Sequence, residues 1–519
     1  MAITFRDTMS GKVRVFEPLE EGHVRMYHCG PTVYDYAHIG NFRAFLLADL
    51  LRRLFEFHGY EVHQVMNITD VGHMTVDTED AGEDKMAAAV QREGRGPEKI
   101  ARFYEEAFFE DLDALGIRRA DRYPRASEHV TDMVGLAQAL YEKGYAYQEG
   151  DAVLYDISKY PEYGRLSHKR IEDLQAGAGG RLTEEMLAGK RNPGDFRLWK
   201  VDPDHVLQWE SPWGRGYPGW HLECSVMARK YLGDTLDIHT GGEDNIFPHH
   251  ESERAQIEPI TGKPFVRYWL HNRHLMCEGT KMSKSLGNFY TVRGLLEEGF
   301  DPIAIRYLLI SAHYRAPLNF TREGLKGAWE SVNRIRNFVR RMDENAQLAP
   351  EGADSAGPDA AAGTAGPASG GDAGTPATGS GPTAAGVSEA PGDQGTETAT
   401  ITQGFLNAFT EAIDEDLNMS KALGSVFDFM REINRRDVKG QAAVAAAAAI
   451  RRADEVLGIL APDEEAQDKG DPRIDALVEE RQAARKARDF ARADEIRDQL
   501  MAEGIVIEDT KDGVRWYHK

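Results

Sequence analysis

Apolar residues recur along this chain with two different periods, and the changes of period mark its parts. From Phe42 to Phe57 they fall at helical spacing, and Val62 to Met66 then reads as a short buried strand. Strand-like and helix-like runs alternate in this way up to about residue 115, which predicts an α/β fold: a doubly wound, Rossmann-like parallel sheet. Residues 116–199 carry shorter runs, such as Ala152-Val153-Leu154-Tyr155-Asp156, and read as an inserted α+β subdomain. The main sheet is expected to resume over 200–315. Leu236-Asp237-Ile238-His239 would be one of its strands, followed by a glycine turn at Gly241-Gly242-Glu243-Asp244.

A helical pattern returns from Leu325 to Met342, then with Phe405, Phe409 and Ile413, and again with Leu423, Phe427 and Met430. The Ala-rich run 441–449 favours helix as well. Residues 316–346 and 401–462 are therefore expected to form a helical bundle. Between its two parts, residues 347–400 contain no Lys, Arg or aromatic residue and are dominated by Ala, Gly, Pro, Ser and Thr. Such a stretch cannot bury enough apolar surface to offset chain entropy, so it reads as a disordered insert. The end of the chain, 471–519, reads as a small separate α/β appendage. In it Arg481, Arg485, Arg488 and Arg492 would line one face of a helix, ahead of a strand-like tail with Trp516 and Tyr517.

The chain has 519 residues and a formal net charge of −23. That acidity argues against indiscriminate nucleic-acid binding, and no DNA partner is expected. It leaves room for a local basic patch, because binding depends on local charge rather than on the total. No run approaches the roughly 20 apolar residues that cross a bilayer, so no membrane partner is expected. Met1 to Asp7 lacks the charged-then-apolar plan of a signal peptide. Three cysteines without a Cys-x-x-Cys spacing do not make a disulfide framework, which points to a reducing cytoplasm.

Chemistry concentrates in a few places. Cys29 precedes Gly30-Pro31-Thr32, Cys224 closes Gly219-Trp220-His221-Leu222-Glu223-Cys224, and His249 and Glu253 stand four residues apart, one helical turn. Two thiols, an imidazole and a carboxylate suit a tetrahedral Zn²⁺. An isolated Cys, however, is more often a small core residue, as Cys277 is read here. After Cys29, the turn His38-Ile39-Gly40-Asn41 leads into the first helix. A helix N-terminus offers free N–H groups for phosphate, and Gly40 lets a ligand approach the backbone. Far downstream, Lys281-Met282-Ser283-Lys284-Ser285 makes a cationic loop able to hold a triphosphate. Each of these alone is common; the combination, in this order, is not.

Together the motifs resemble class I aminoacyl-tRNA synthetases, whose two signatures are His-x-Gly-His and Lys-Met-Ser-Lys-Ser. The contexts around Cys29 to Asp35, Asn67 to Asp70, Gly219 to Cys224 and Phe247 to Glu253 are similar to those of cysteinyl-tRNA synthetases, over nearly the whole chain outside about 347–400. The resemblance implies ATP-dependent ligation of L-cysteine to tRNA(Cys) through a cysteinyl adenylate. It implies one zinc per chain on Cys29, Cys224, His249 and Glu253, which takes the substrate thiolate and selects against serine. ATP with Mg²⁺ would lie against Gly30, Thr32, His38, Gly40, Asn41, Gly242, Asp244 and Lys284. His38, Asn41, Lys281 and Lys284 would assist the chemistry, and Thr69 and Trp220 would wall the cysteine pocket. The helical bundle would be anticodon-side, the appendage would read the anticodon, and a cytoplasmic monomer is expected.

Two departures from the pattern matter. Asn41 stands where the class signature has its second His, keeping a donor but no possible positive charge. An acidic stretch after Asp70 replaces the lysines often found in relatives. His221 and His239 are candidates for a general base, with no compelling choice between them. Two other readings share these motifs: a ligase joining cysteine to an aminosugar, and a non-catalytic RNA-binding homologue. The segments after about 401 count against the first, and the intact ligand and Lys-Met-Ser-Lys-Ser motifs count against the second.

Overall fold

The structure is a computed structural model that describes residues 2–71, 85–170, 189–282, 288–348, 393–460, 472–486, 489–502, 505–510 and 513–518. The chain divides into two units, Met1–Leu460 and Ala461–Lys519. In the first, a hairpin of β1 (Thr4–Asp7) and β2 (Lys12–Val15) precedes β3 (His23–His28), helix α1 (Ile39–Phe57) and β4 (Glu61–Met66). β3 and β4 pair in parallel, so α1 is the crossover between them. Helices α2 (Lys85–Glu93) and α3 (Pro97–Ala114) follow. The chain then returns to the sheet edge, where Arg122 bridges Val65 and Arg125 bridges Ile68. The expected insert boundary at 116 thus comes before the chain has left the main sheet.

The insert proper holds α4 (Val130–Glu142) and an antiparallel sheet of β5 (Ala146–Glu149), β6 (Ala152–Tyr155), β7 (Phe196–Val201) and β8 (Gly216–Pro218). This sheet runs past the expected end at 199, because Trp199 to Val201 pair with Gly216 to Pro218. The turn that brings β8 back is a long-range pairing that local periodicity does not reveal. Helix α5 (Trp220–Leu232) re-enters the main sheet, and β9 (Leu236–Gly242), α6 (Glu251–Thr261) and β10 (Val266–Asn272) form its second parallel crossover.

The order of the main sheet is β10-β9-β3-β4. β3 connects outward to β4 and β9 connects outward to β10, so the order reverses between β3 and β9. Ligands gather at such a switch point, outside the strand C-termini. Strand alternation divides the side chains between two cores. Val24, Met26 and Ile238 pack on the α1 side with Phe42, Leu46 and Leu50, while Tyr27, Val65 and Trp269 pack on the other side with Leu222 and Val153.

After β10 come β11 (Leu275–Cys277), β12 (Thr280–Lys281), α7 (Val292–Glu297), α8 (Pro302–Ile310), β13 (Leu318–Phe320) and the long α9 (Arg322–Ala346). Asp301 starts α8 by accepting from the N–H groups of Ile303 and Ala304, with Pro302 preset for the first turn. The bundle is completed by α10 (Asp393–Asp414), α11 (Met419–Asn434) and α12 (Gly440–Leu457). α10 begins inside the segment expected to be disordered up to residue 400. There Thr398 is buried and Glu397 pairs with Arg436 at 2.6 Å, tertiary contacts that composition cannot show. Residues 349–392 of that insert, and 72–84 with the acidic stretch, lie outside the described residues.

The second unit contains α13 (Pro472–Lys486), α14 (Phe490–Ala502) and a hairpin of β14 (Ile505–Thr510) with β15 (Gly513–His518). Ile474, Val478, Ile496, Leu500 and Ile505 form its core. The expected basic stripe is divided: Arg481 and Arg485 lie on α13 and Arg492 on α14, where it pairs with Glu480 and Glu495. Arg488 lies outside the described residues. Among the described residues no helix is long and apolar enough to cross a membrane.

A buried ionic hub ties α1 to the bundle. Asp49 of α1 accepts from Arg306 Nη2 at 2.6 Å and from Arg53 Nε at 2.8 Å, and Arg306 Nε donates to the Leu457 carbonyl at 2.7 Å. Gly458 ends α12 in the left-handed region (φ 60°), with an Arg306 nitrogen 2.9 Å from where a β-carbon would stand. Burial alone would raise the Asp49 carboxyl, but Arg306, Arg53 and the Arg118 N–H outweigh it and hold it below its ordinary value. Its contribution to stability is therefore complete above the unfolded pKa of about 3.9 and is lost as pH falls through the lower folded value. Asp49→Asn leaves Arg306 buried without its counter-ion and should cost about 3–5 kcal/mol in denaturant unfolding at neutral pH. The gap from wild type should begin to narrow as pH falls below about 3.9 and close only as it passes the lower value at which the native carboxyl protonates.

Candidate active site and metal centre

The switch point is where the cysteines meet. Cys29 follows β3, its N–H bonding the Thr240 carbonyl of β9 at 3.2 Å, and Cys224 comes from the second turn of α5. His249 lies in the tight turn before α6, and Glu253 lies in the first turn of α6. One ligand atom from each of Cys29, Cys224, His249 and Glu253 falls within 4.8 Å of all the others. His249 Nε2 stands 3.1 Å from Glu253 Oε1 and 3.4 Å from Cys224 Sγ. Cys29 is half-buried and the other three are buried.

The neighbours of these atoms leave their lone pairs aimed at one point. His221 Nδ1 and His249 Nδ1 are 2.9 Å apart; with the His249 proton on Nδ1 donated to His221, Nε2 presents its lone pair toward Cys224 and Glu253. His239 Nε2 lies 2.9 Å from Glu253 Oε2, which leaves Oε1 facing the cluster, buried and without a hydrogen bond. His250 Nε2 lies 3.1 Å from Cys29 Sγ. Burial first, then the surrounding acids and thiols, pushes the Cys224 thiol well above its ordinary value and raises Tyr27 likewise. Burial pushes His28 and His271 down to about 3 and drives His250 well below its ordinary value, so these three rings are neutral. Two sulfurs, a nitrogen and a carboxylate oxygen converging in this way fit a zinc-class cation.

The structure also brings together a second, overlapping set that the sequence did not reveal: Cys29, His239, His250 and Glu253. His239 and His221 belong to this buried ring of histidines, which gives each of them an orienting contact in place of the open position a general base needs. His250 is the residue sequence reading missed outright. Its neighbour in the chain, His249, carried the helical spacing to Glu253, and nothing local marks the next His as facing the same point.

Above the cluster opens a cleft of about 1230 Å³. Trp220 lies across the His249 ring, centroids 4.4 Å apart, and lines the cleft with Thr69. Thr69 donates to Glu223 at 2.9 Å and forms a strand-like bridge with Thr32. Gly30 also lines the cleft, but its lack of a side chain has a structural cause: a β-carbon would stand 1.7 Å from the Asn67 carbonyl oxygen. At the end of β9, Gly242 and Asp244 line the rim, Asp244 exposed and 3.6 Å from His274 Nδ1.

The first phosphate-binding candidate, the His38 turn, also lines this cleft. His38 caps α1: its Nδ1 accepts from Asn41 N–H at 3.1 Å, while Asn41 Oδ1 accepts from His38 N–H at 3.1 Å. Asn41 is thus a capping partner as well as a cleft residue. Because His38 Nδ1 accepts, its ring proton resides on Nε2. Ile39 N–H bonds the Tyr290 carbonyl and Met282 reaches within 3.2 Å of a β-carbon position on Gly40. Met282 and Tyr290 are therefore neighbours of the His38 turn. Lys281 belongs to β12; Lys284, with 283–287, lies outside the described residues.

A second recess, about 430 Å³, lies between α9 and α11 of the bundle and is lined by Arg334, Arg341, Arg431, Arg435, Phe427 and Phe338, among others. Arg334 stacks over Phe427 at 5.1 Å and Arg341 over Phe338 at 5.7 Å. Four arginines meet here from two helices separated by the long insert, so no local charge run announces the patch.

Three family descriptions match the chain: tRNA synthetases class I (C) catalytic domain over residues 15–330, DALR domain over 408–461, and cysteinyl-tRNA ligase anticodon binding domain over 468–516. Curated relatives include the cysteine–tRNA ligases of Solibacter usitatus (42% identical over 523 residues, 100% of both chains) and Symbiobacterium thermophilum (42% over 520 residues, 99% of both). In fold the chain is similar to Mycobacterium tuberculosis methionyl-tRNA synthetase in complex with methionyl-adenylate (TM-score 0.54, 16% identity, 84% of this chain and 90% of that one). It is likewise similar to the Agrobacterium radiobacter K84 LeuRS-tRNA-LeuAMS ternary complex (TM-score 0.56, 12% identity, 86% and 85%).

The glycine pair at the end of β9 offers a direct check on the packing of this centre. A β-carbon on Gly241 would stand 2.9 Å from the His250 ring and 3.1 Å from Asn245, whereas one on Gly242 meets only Asn245, at 3.6 Å. Gly241→Ala should push His250 off Cys29 and cost about 1–3 kcal/mol, as overpacking does. Gly242→Ala should leave the urea unfolding midpoint nearly unchanged.

Proposed function

The chain belongs to the cysteine–tRNA ligase family of class I aminoacyl-tRNA synthetases, enzymes that charge tRNA with cysteine at the expense of ATP, and on that premise we propose how its own residues carry the reaction. A carboxylate oxygen of L-cysteine bonds to the α-phosphorus of ATP as the bond to the pyrophosphate oxygen breaks. This gives cysteinyl adenylate and releases pyrophosphate with its Mg²⁺. The terminal ribose hydroxyl of tRNA(Cys) then attacks the activated carbonyl, loses its proton, and AMP leaves.

The observation that carries this reading is that Cys29, Cys224 and His249, three of the four converging ligand residues, line the same cleft as His38, Asn41 and Met282. His38, donating from Nε2, and the N-terminus of α1 hold the phosphates, with Asn41 completing the turn. Lys281 and Lys284 neutralise the charge that develops on the leaving pyrophosphate. Gly30, Thr32, Gly40, Gly242 and Asp244 shape the nucleotide side of the cleft. The protein supplies position and charge more than covalent chemistry.

Cys29, Cys224, His249 and Glu253 hold one Zn²⁺ beside the amino-acid site. When bound, it offers the substrate sulfur a soft ligand position that lowers the thiol pKa, which the hydroxyl of serine cannot match. Serine is otherwise nearly the same shape, so size alone would discriminate poorly. Trp220 and Thr69 wall the small pocket around the side chain.

The arginine-lined recess between α9 and α11 takes the phosphate backbone of the tRNA. It is a local positive surface on a chain of net charge −23, with aromatic rings that hold the guanidiniums in place. Residues 471–519 read the anticodon, and 349–392 act as a connector without a part in catalysis. The enzyme works as a monomer in the cytoplasm, a reading supported by three cysteines that form no disulfide. It has no DNA or membrane partner.

Purified protein should retain about one zinc per chain through dialysis against a mild chelator, as a single four-ligand set requires. Cys224→Ser should lose metal and cysteine affinity together in cysteine-dependent ATP–pyrophosphate exchange. Normal cysteine activation by zinc-free protein would overturn the selector role. Lys284→Ala should slow the same exchange on the order of a hundredfold, with much less effect on cysteine binding. An unchanged rate would remove Lys284 from the mechanism.

A further inference from the structure

The opposite end of the main sheet carries three potential metal ligands with no part in the cleft. His23 is the first residue of β3 and Glu61 the first of β4, and the two face each other in register. His63 lies two residues further along β4, hence on the same face as Glu61. The three ligand atoms fall within 4.8 Å of one another. Glu61 Oε2 stands 3.6 Å from His23 Nδ1, and Glu61 Oε1 stands 3.5 Å from His63 Nε2. The two imidazoles are nearly parallel, at 7°, with centroids 5.8 Å apart and the carboxylate reaching both.

We propose that His23, Glu61 and His63 form a second, surface binding site for a divalent transition cation of the zinc class, distinct from the centre at the switch point. Ligands 2.0–2.1 Å from a tetrahedral ion are about 3.4 Å from each other, close to the separations observed. Two imidazoles select zinc, nickel or copper over magnesium and calcium, which prefer oxygen. The backbone beneath the site is held: Glu61 N–H bonds the Gly22 carbonyl at 2.8 Å and His23 N–H the Glu20 carbonyl at 3.0 Å. The nearest cation in register, Arg25, is neutralised by Glu20 at 2.8 Å. Side-chain exposures of 34%, 64% and 47% for His23, Glu61 and His63 leave the remaining coordination positions open to water. The site lies at the strand N-termini and the cleft at their C-termini, so cation occupancy here does not depend on the catalytic reading.

The test uses the full chain with its retained metal in place, dialysed against micromolar Zn²⁺ with millimolar Mg²⁺ and analysed for zinc by mass spectrometry. Wild type should hold one equivalent more than the Glu61→Gln/His63→Ala double variant, whatever number both hold at the buried centre. With Cu²⁺ as the probe, electron paramagnetic resonance should show two coupled imidazole nitrogens in wild type and one in His63→Ala. Cysteine-dependent pyrophosphate exchange should be the same in all variants, showing that they are folded. Equal zinc content in wild type and the double variant, or a copper spectrum unchanged by His63→Ala, would overturn the site.

Discussion

Two thiols, an imidazole nitrogen and a carboxylate oxygen, most of them buried and all within 4.8 Å of one another, form a donor set that suits a cation. Without one, burial drives the Cys224 thiol well above its ordinary value, and Glu253 keeps an oxygen that nothing satisfies. Much of the surrounding architecture serves this point. β3 and β9 must run side by side, α5 and α6 must both start at it, and Gly241 must lack a side chain so that His250 can reach Cys29. The ring of buried histidines orients these groups through contacts with His249, Glu253 and Cys29.

The same geometry links the centre to the nucleotide side. α1 starts at the His38 turn, and its body carries Asp49, the anchor of the ionic hub that joins Arg306 to the end of α12. One helix thus connects the His38 turn to the bundle far from it in sequence. A hub of this kind is costly to bury and more costly to break, which makes it a device for holding two layers in one relation.

Charge is distributed with similar economy. The chain is strongly acidic overall, yet arginines gather between α9 and α11, and Arg334 and Arg341 there are held by aromatic rings. Net acidity with a local basic groove favours one bound orientation of a polyanion over many. Pairing moderates that charge, since Arg431 and Arg435 meet Asp428 and Glu432, as Arg492 of the appendage meets Glu480 and Glu495.

Sequence alone brought out the doubly wound sheet, the bundle helices and the four residues Cys29, Cys224, His249 and Glu253 that the structure brings together. Those features rest on local periodicity and on motifs whose chemistry survives as a string of residues. It also located the two signature segments, though not that Asn41 would spend its side chain capping α1. What tertiary structure decided was everything set by residues distant in the chain. β8 extends the inserted sheet past residue 199, α10 begins at Asp393 on the strength of its contact with Arg436, and His250 joins the metal centre through a partner some 220 positions away. The arginine groove and the His23, Glu61 and His63 cluster belong to the same class. Their members come from separate helices or neighbouring parallel strands, and proximity across such elements is a property of packing, which no window along the sequence contains.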